Sequence, residues 1–483
     1  MSPQLVLIVI LAYFALILGI SQVTGRGADN ASFFLGNRRS PWYVVSFGMI
    51  GASLSGVTFI SVPGWVGTSQ FSYLQMVLGY LLGYFVIAQI LLPLYYRLNL
   101  TSIYSYLEGR FGFWSYKTGA VFFLVSRVIG ASFRLYLVAG VLHISIFGNW
   151  NIPFWVTVVI TILLIWLYTF RGGIKTIIWT DTLQTLFMLL AVAISVVLIA
   201  RAMELDFGGM VQMVRQSDYS QVFFFSDWRT GDHFVKQFLS GAFIAIVMTG
   251  LDQDMMQKNL SCRNLKDAQK NVYWMSIALV PVNLLFLSLG ALLFIFASQH
   301  SISLPAQSDD LFPMIATQGY LSPIVAIFFI IGLVAAAYSS ADSALTSLTT
   351  SFTVDIMNGA RLGEEKLQKL RKMVHIGISV ALLIVILVFK AINNQNVISA
   401  IFTVAGYTYG PLLGFYSFGL FTPYKIKDRW VPLVAIASPI LCFIISSNSE
   451  AWFNGYNFGF ELLILNGLLT FLGLFLLRRR ITD

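Results

Sequence analysis

Apolar residues in this chain come in blocks of about twenty, the length an α-helix needs to cross a hydrocarbon core of about 30 Å. The ten-residue alternation of a membrane β-barrel is not seen. Thirteen spans are predicted, at 4–22, 42–62, 74–95, 118–146, 153–170, 177–201, 236–256, 272–298, 321–350, 373–391, 397–421, 430–447 and 458–477. The chain therefore reads as a single all-α integral membrane domain, 1–483. The longest loop, about 202–235, carries Phe223–Phe225 and Trp228, which predicts short structure lying at the membrane interface.

Two of the spans are interrupted. Gly51–Gly56 reads G-A-S-L-S-G in the second, and Thr249–Asp254 reads T-G-L-D-Q-D at the end of the seventh. Gly and Ser pairs permit a helix break, which frees backbone carbonyls that need partners inside the protein. Paired breaks five spans apart are what an inverted-repeat transporter would use as its binding site. Close packing of small residues between helices explains the same glycines equally well.

The stretch Ala336–Ser347, A-A-Y-S-S-A-D-S-A-L-T-S, interrupts the ninth span differently. On a helical wheel its polar groups, Ser339, Ser340, Asp342, Ser343, Thr346 and Ser347, fall within an arc of roughly 160°. Interhelical glue accounts for Thr346 and Ser347. It does not account for Asp342, since an ionisable group at mid-span costs at least about 2.5–3.5 kcal/mol and needs a partner. Hydroxyl and carbonyl oxygens beside a carboxylate suit a hard cation. A small ion such as Na⁺ would be held by the Ser339 and Ser340 hydroxyls and the Ala336 carbonyl and completed from another helix. Asp181, in W-T-D-T-L-Q, is a second intramembrane carboxylate. It reads as a ligand or relay on the inward ion path, or as a cap paired with Arg171 or Lys175.

Charge fixes the orientation. Seven loops and tails on one side hold 23 of the 30 Lys and Arg, including Arg38-Arg39, Lys258 to Lys270, Arg361 to Lys372 and Arg478 to Arg480. The other side holds only Arg215 and Arg229. By the positive-inside rule the amino terminus is outside and the carboxyl terminus cytoplasmic, in a cell membrane. The +9 net charge is thus spent on topology and implies no nucleic acid. With 57% hydrophobic and 11% charged residues, a soluble fold is excluded. The first segment has no basic n-region, so it reads as a retained span. Cys262, Cys442 and the histidines 143, 233, 300 and 375 form no ligand cluster or nucleophile motif, so no enzyme is expected. No output domain follows the last span, as a sensor would need.

Five motifs in order give the chain a wider resemblance: Ser46–Phe59, Tyr168–Gln184, Thr249–Lys258, Ala335–Ser347 and Ala405–Gly414. Together they resemble the sodium/solute symporters, whose members include sialic acid, monocarboxylate, iodide, proline and galactose transporters. The resemblance implies a leucine-transporter-like 5+5 inverted repeat. Its parts would be an extra helix at 4–22, repeats at 42–201 and 236–421, and two further helices within 430–477. It implies a main sodium site at the carbonyls of Gly51, Leu54 and Ala336 and the hydroxyls of Ser339 and Ser340. It also implies a second sodium, or the release path, at Asp181, Asp342 and Ser343, with Asp342 standing where the sialic-acid-type members have serine. The implied solute contacts are Ser53, Ser55, Thr58, Tyr73, Val77, Asp252 and Gln253. Val57-Thr58 replaces the Glu-Gln pair of galactose transporters.

Arg127 and Arg134 share one face of the fourth span. If Arg134 reaches the cavity, the solute is an organic anion such as a sialic acid or monocarboxylate. If it pairs with Asp252 or Glu108, the solute is a neutral sugar or polyol. Arg127 reads as snorkelling or structurally paired. The expected partners are a small solute, Na⁺ and lipid, with a single chain as the working unit.

Overall fold

The computed structural model describes residues 3–25, 30–359, 362–392 and 397–479. Arg361 and Arg480, counted above among the basic residues, lie outside them, as does the side chain of Arg171. Among the described residues, nine helices are long and apolar enough to cross a membrane; two bent pairs and two shorter apolar helices complete the predicted set. In chain order they are α1 (Pro3–Thr24), α2 (Trp42–Ser69), α3 (Tyr73–Arg97), α4 (Phe113–Leu142), α5 (Phe154–Leu167) and α6 (Gly173–Ala202). There follow α7 (Phe234–Gly250 and Gln253–Leu260), α8 (Leu265–Gln299), α9 (Pro323–Ile356), α10 (Glu364–Ile392), α11 (Val397–Thr408 and Gly410–Phe421), α12 (Asp428–Ser447) and α13 (Leu462–Leu476).

Both predicted breaks are present. In α2 the helix is interrupted at Ser55, whose φ of 59° and ψ of 174° are rare for a residue with a Cβ. In α7 the halves bend by 66° at Leu251-Asp252. A third bend, 46°, falls in α11 at Tyr409, within the motif A-G-Y-T-Y-G-P. The basic turn R-G-G-I-K, expected as a loop, is instead a kink in the continuous helix Phe154–Ala202. Gly173 makes the kink, with φ 51° and ψ −140°; a Cβ there would lie 2.5 Å from the Phe33 ring.

The long loop contains a short helix, Phe207–Gln216, capped by Asp206, which accepts from the Gly209 N–H at 2.7 Å. Its Phe223, Phe225 and Trp228 are exposed.

Two packing features position the centre. First, α9 runs against α6, α2 and α4, and every residue from Leu333 to Ser351 is buried. The polar arc and its apolar complement are therefore both enclosed by protein, and neither faces lipid. Second, α3 and α7 meet through glycines. A Cβ on Gly79 would lie 2.0 Å from the Phe238 carbonyl oxygen, on Gly83 2.3 Å from that of Ala242, and on Gly241 2.0 Å from that of Met76.

Candidate functional site

Small residues let α2 be held between α6 and α9. A Cβ on Gly51 would meet Thr185 Oγ1 at 2.1 Å, and one on Gly56 would meet the Ala337 Cβ at 3.2 Å. Thr185 and Thr182 donate to the carbonyls of Gly48 and Val44, at 3.3 and 3.1 Å. Gly51 thus packs on α6, and Gly56, at the other end of the stretch, packs on α9 at Ala337.

On α9 the hydroxyls are ordered by donation. Ser339 Oγ donates to Asp181 Oδ1 at 2.8 Å, Ser340 Oγ to the Ala336 carbonyl at 3.4 Å, and Ser343 Oγ to the Ser339 carbonyl at 3.0 Å. Each hydroxyl spends its proton and keeps lone pairs for a cation. Asp342 Oδ1 accepts from the Ser343 N–H at 2.5 Å and lies 3.2 Å from Ser343 Oγ, where it competes with the Ser339 carbonyl for the one hydroxyl proton. The structure brings Ala336, Ser339, Ser340, Asp342, Ser343 and Asp181 into one buried polar layer. Neutral oxygens with carboxylates alongside are the ligand types that hard cations take.

Asp181 has a partner that the sequence reading missed. Lys258 Nζ lies 2.7 Å from Asp181 Oδ2, with both side chains fully buried. Lys258 was counted with the loop Lys258 to Lys270; it belongs instead to the second half of α7, Gln253–Leu260, which turns back into the protein after the 66° bend. Another missed contributor is the first helix. Tyr13 brings its hydroxyl beside the Gln184 side chain, within electrostatic reach of Asp342 and Asp181.

Next to this layer is a central cavity of about 90 Å³. Ser53, Leu54, Ser55, Thr58, Tyr73, Arg127 and Arg134 line it, as does Asn283, whose Oδ1 is buried without a hydrogen-bond partner. Asn283 was detectable only as an amide inside an apolar helix, two residues past Pro281.

Val77, Asp252 and Gln253 do not line this cavity, contrary to expectation. Val77 is fully buried in the core. Asp252 caps the second half of α7, accepting from the Asp254 N–H at 2.9 Å, and its other oxygen takes the Tyr409 hydroxyl. Gln253 accepts from the Ile103 N–H at 3.0 Å and donates to the Thr101 carbonyl at 2.9 Å, tying down the loop after α3. Freed backbone at the break consumed the side chains nearest to it.

The two arginines divide. Arg127 is ion-paired with Asp254, and Asp252 lies 4.0 Å away. Arg134 has no carboxylate within ion-pair distance among the described residues; it is buried, faces the cavity, and its Nε is unpartnered. Glu108 is not its partner. On one side the cavity is bordered by a chain of rings, Tyr73–Trp65 at 5.8 Å, Trp65–Phe460 at 6.1 Å and Phe460–Phe402 at 5.0 Å between centroids.

The model of the Sodium:solute symporter family matches residues 33–425. The sodium/sialic acid symporter NanT of Aliivibrio fischeri is 27% identical over 431 residues, covering 86% of this chain and 82% of that protein. SiaT of Proteus mirabilis, likewise a sodium/sialic acid symporter, is 27% identical over 86% of this chain and 84% of its own length. The human sodium/iodide cotransporter is 26% identical over 85% of this chain and 65% of its own. Among solved structures, a Na⁺-coupled sialic acid symporter in a substrate-bound outward-open state superposes with a TM-score of 0.82, at 21% identity, over 99% of both chains.

Proposed function

This chain belongs to the sodium:solute symporter family, and from that premise we propose how it works. It is a sodium-coupled symporter of a small polar solute. Na⁺ binds between the carbonyls of Gly51 and Leu54 on α2 and the Ala336, Ser339 and Ser340 oxygens on α9. Holding those helices together shapes the adjoining cavity, so each ligand binds better in the presence of the other, a reciprocal coupling of about 1–3 kcal/mol. Rocking of the repeat bundle then opens the site inward, and the ion leaves to the cytoplasm past Asp181, Asp342 and Ser343. The amino terminus and the 202–235 loop face outward, in the cell membrane. A potential of 100 mV adds about 2.3 kcal/mol per charge to inward movement.

The solute is an organic anion. One observation carries this: Arg134, buried at the cavity wall with no carboxylate within ion-pair distance among the described residues. A guanidinium in that setting is satisfied by a bidentate carboxylate. Ser53, Ser55, Thr58, Tyr73 and Asn283 would orient the rest of the molecule. The names of the two sialic acid symporters make sialic acids the first compounds to try, and the carboxylate expected at Arg134 adds short monocarboxylates.

Uptake into proteoliposomes, with Na⁺ replaced by choline at fixed pH, tests the coupling. Ser339→Ala and Ser340→Ala are expected to lose Na⁺ activation, and normal activation in both removes the assigned site. A thermal-shift screen of sialic acids, short carboxylates and neutral sugars, with and without Na⁺, tests the solute class. Stabilisation by a neutral sugar alone sinks the anion.

A further inference from the structure

A second cavity, of about 450 Å³, lies toward the end of the bundle that carries the 202–235 loop. It falls within the range of about 300–1,000 Å³ usual for small-molecule sites, whereas the central cavity, at about 90 Å³, is closed down below it. Phe402 lines both. The ring chain Tyr73–Trp65–Phe460–Phe402 is the partition between them, with Tyr73 facing the centre and Trp65 and Phe460 facing the larger space.

The wall chemistry of the larger cavity differs from that of the centre. No Lys or Arg lines it among the described residues. The nearby Lys236 is engaged by Glu461 at 3.2 Å and by the Asn457 carbonyl at 2.7 Å. Half-buried Asp232, Ser69, Ser72 and Thr403 line it together with the rings of Trp65, Phe402 and Phe460. Gln237 is buried; its amide donates to the Gly231 carbonyl at 2.8 Å, while its side-chain oxygen has no hydrogen-bond partner. Such an acceptor costs about 1–3 kcal/mol, which a ligand hydroxyl recovers. Aromatic faces suit the C–H surface of a sugar ring, and carboxylate, amide and hydroxyl groups suit its hydroxyls. An anion finds no counter-charge here.

We propose that this cavity is a second, vestibular site, taking the uncharged, polyhydroxylated surface of a solute on the outer side of the aromatic partition. The word outer rests on the orientation proposed above; the site itself does not.

The test uses Thr403→Cys, an exposed wall position, in a chain whose native Cys262 and Cys442 are buried. The full-length protein in lipid nanodiscs, open to reagent on both faces, is modified with a charged thiol reagent in the presence of increasing maltose. Maltose is uncharged and too large for the central cavity. The expected result is saturable slowing, threefold at about twice the Kd. It should be lost with Asp232→Asn or Gln237→Leu and kept with Arg134→Gln. The proposal is overturned if the introduced thiol does not react, if maltose does not slow it, or if slowing persists in both polar variants, which would be viscosity alone. Failure of the symport reading would appear elsewhere, as uptake that ignores Na⁺.

Discussion

Replacing Lys258 with methionine keeps the length of the side chain and deletes its charge. The ammonium sits 2.7 Å from Asp181 Oδ2, where Coulomb attraction at an effective dielectric of about 20 is of the order of 6 kcal/mol. Much of that offsets the desolvation of two buried ions, so the pair adds little net stability. Stranding one partner is different and costs about 3–5 kcal/mol. Lys258→Met in detergent without Na⁺ should therefore unfold at a clearly lower temperature than the parent. Na⁺ should then act more strongly on the variant. The bared carboxylate still holds the Ser339 hydroxyl at 2.8 Å and has lost its tethered competitor. A tenfold gain in Na⁺ affinity would appear as about 1.4 kcal/mol of added stabilisation at saturating salt. Choline chloride should not reproduce it. The double variant Lys258→Met/Asp181→Asn strands neither charge and should recover most of the loss. If Lys258→Met is as stable as the parent, or its response to Na⁺ equals that to choline, the pair does not work as described.

Arg134→Gln should raise the KM for an anionic solute at least tenfold while leaving Na⁺-induced stabilisation in place; equal KM values would move the carboxylate elsewhere. Gly51→Ala puts a Cβ 2.1 Å from Thr185 Oγ1 and should cost about 1–3 kcal/mol in thermal stability and weaken Na⁺ activation, with partial rescue by Thr185→Ala. Asp309, in the loop before α9, accepts from the Val397 N–H at 3.1 Å, and burial pushes its carboxyl up to about 6. A raised native pKa means stability present below the unfolded value near 3.8 and lost as pH rises through about 6. Asp309→Asn should thus gain most at pH 7–8 and little near pH 4, in melting curves across that range.

The sequence made the spans, the α2 and α7 breaks and the serine face readable, because each rests on local chemistry: apolar block length, Gly/Ser pairs, and hydroxyls at helical spacing. Lys258 and Gln253 were misassigned for the opposite reason. Where a chain turns back through 66°, no local pattern tells which side chains return to the interior, so a lysine adjoining a basic loop looked like loop and a glutamine adjoining a cavity looked like cavity. The third bend, in α11, had its signal in Gly-Pro at 410–411. The division of labour between Arg127 and Arg134 depends on Asp254, whose direction only the folded chain defines.

The glycine seam between α3 and α7 limits how such a molecule can move. With carbonyls of one helix lying where the other has no room for a methyl group, the two cannot slide or counter-rotate; they travel as a single stave. Whatever hinge opens either mouth must lie beyond the seam, and a covalent tether laid across those helices should leave turnover untouched.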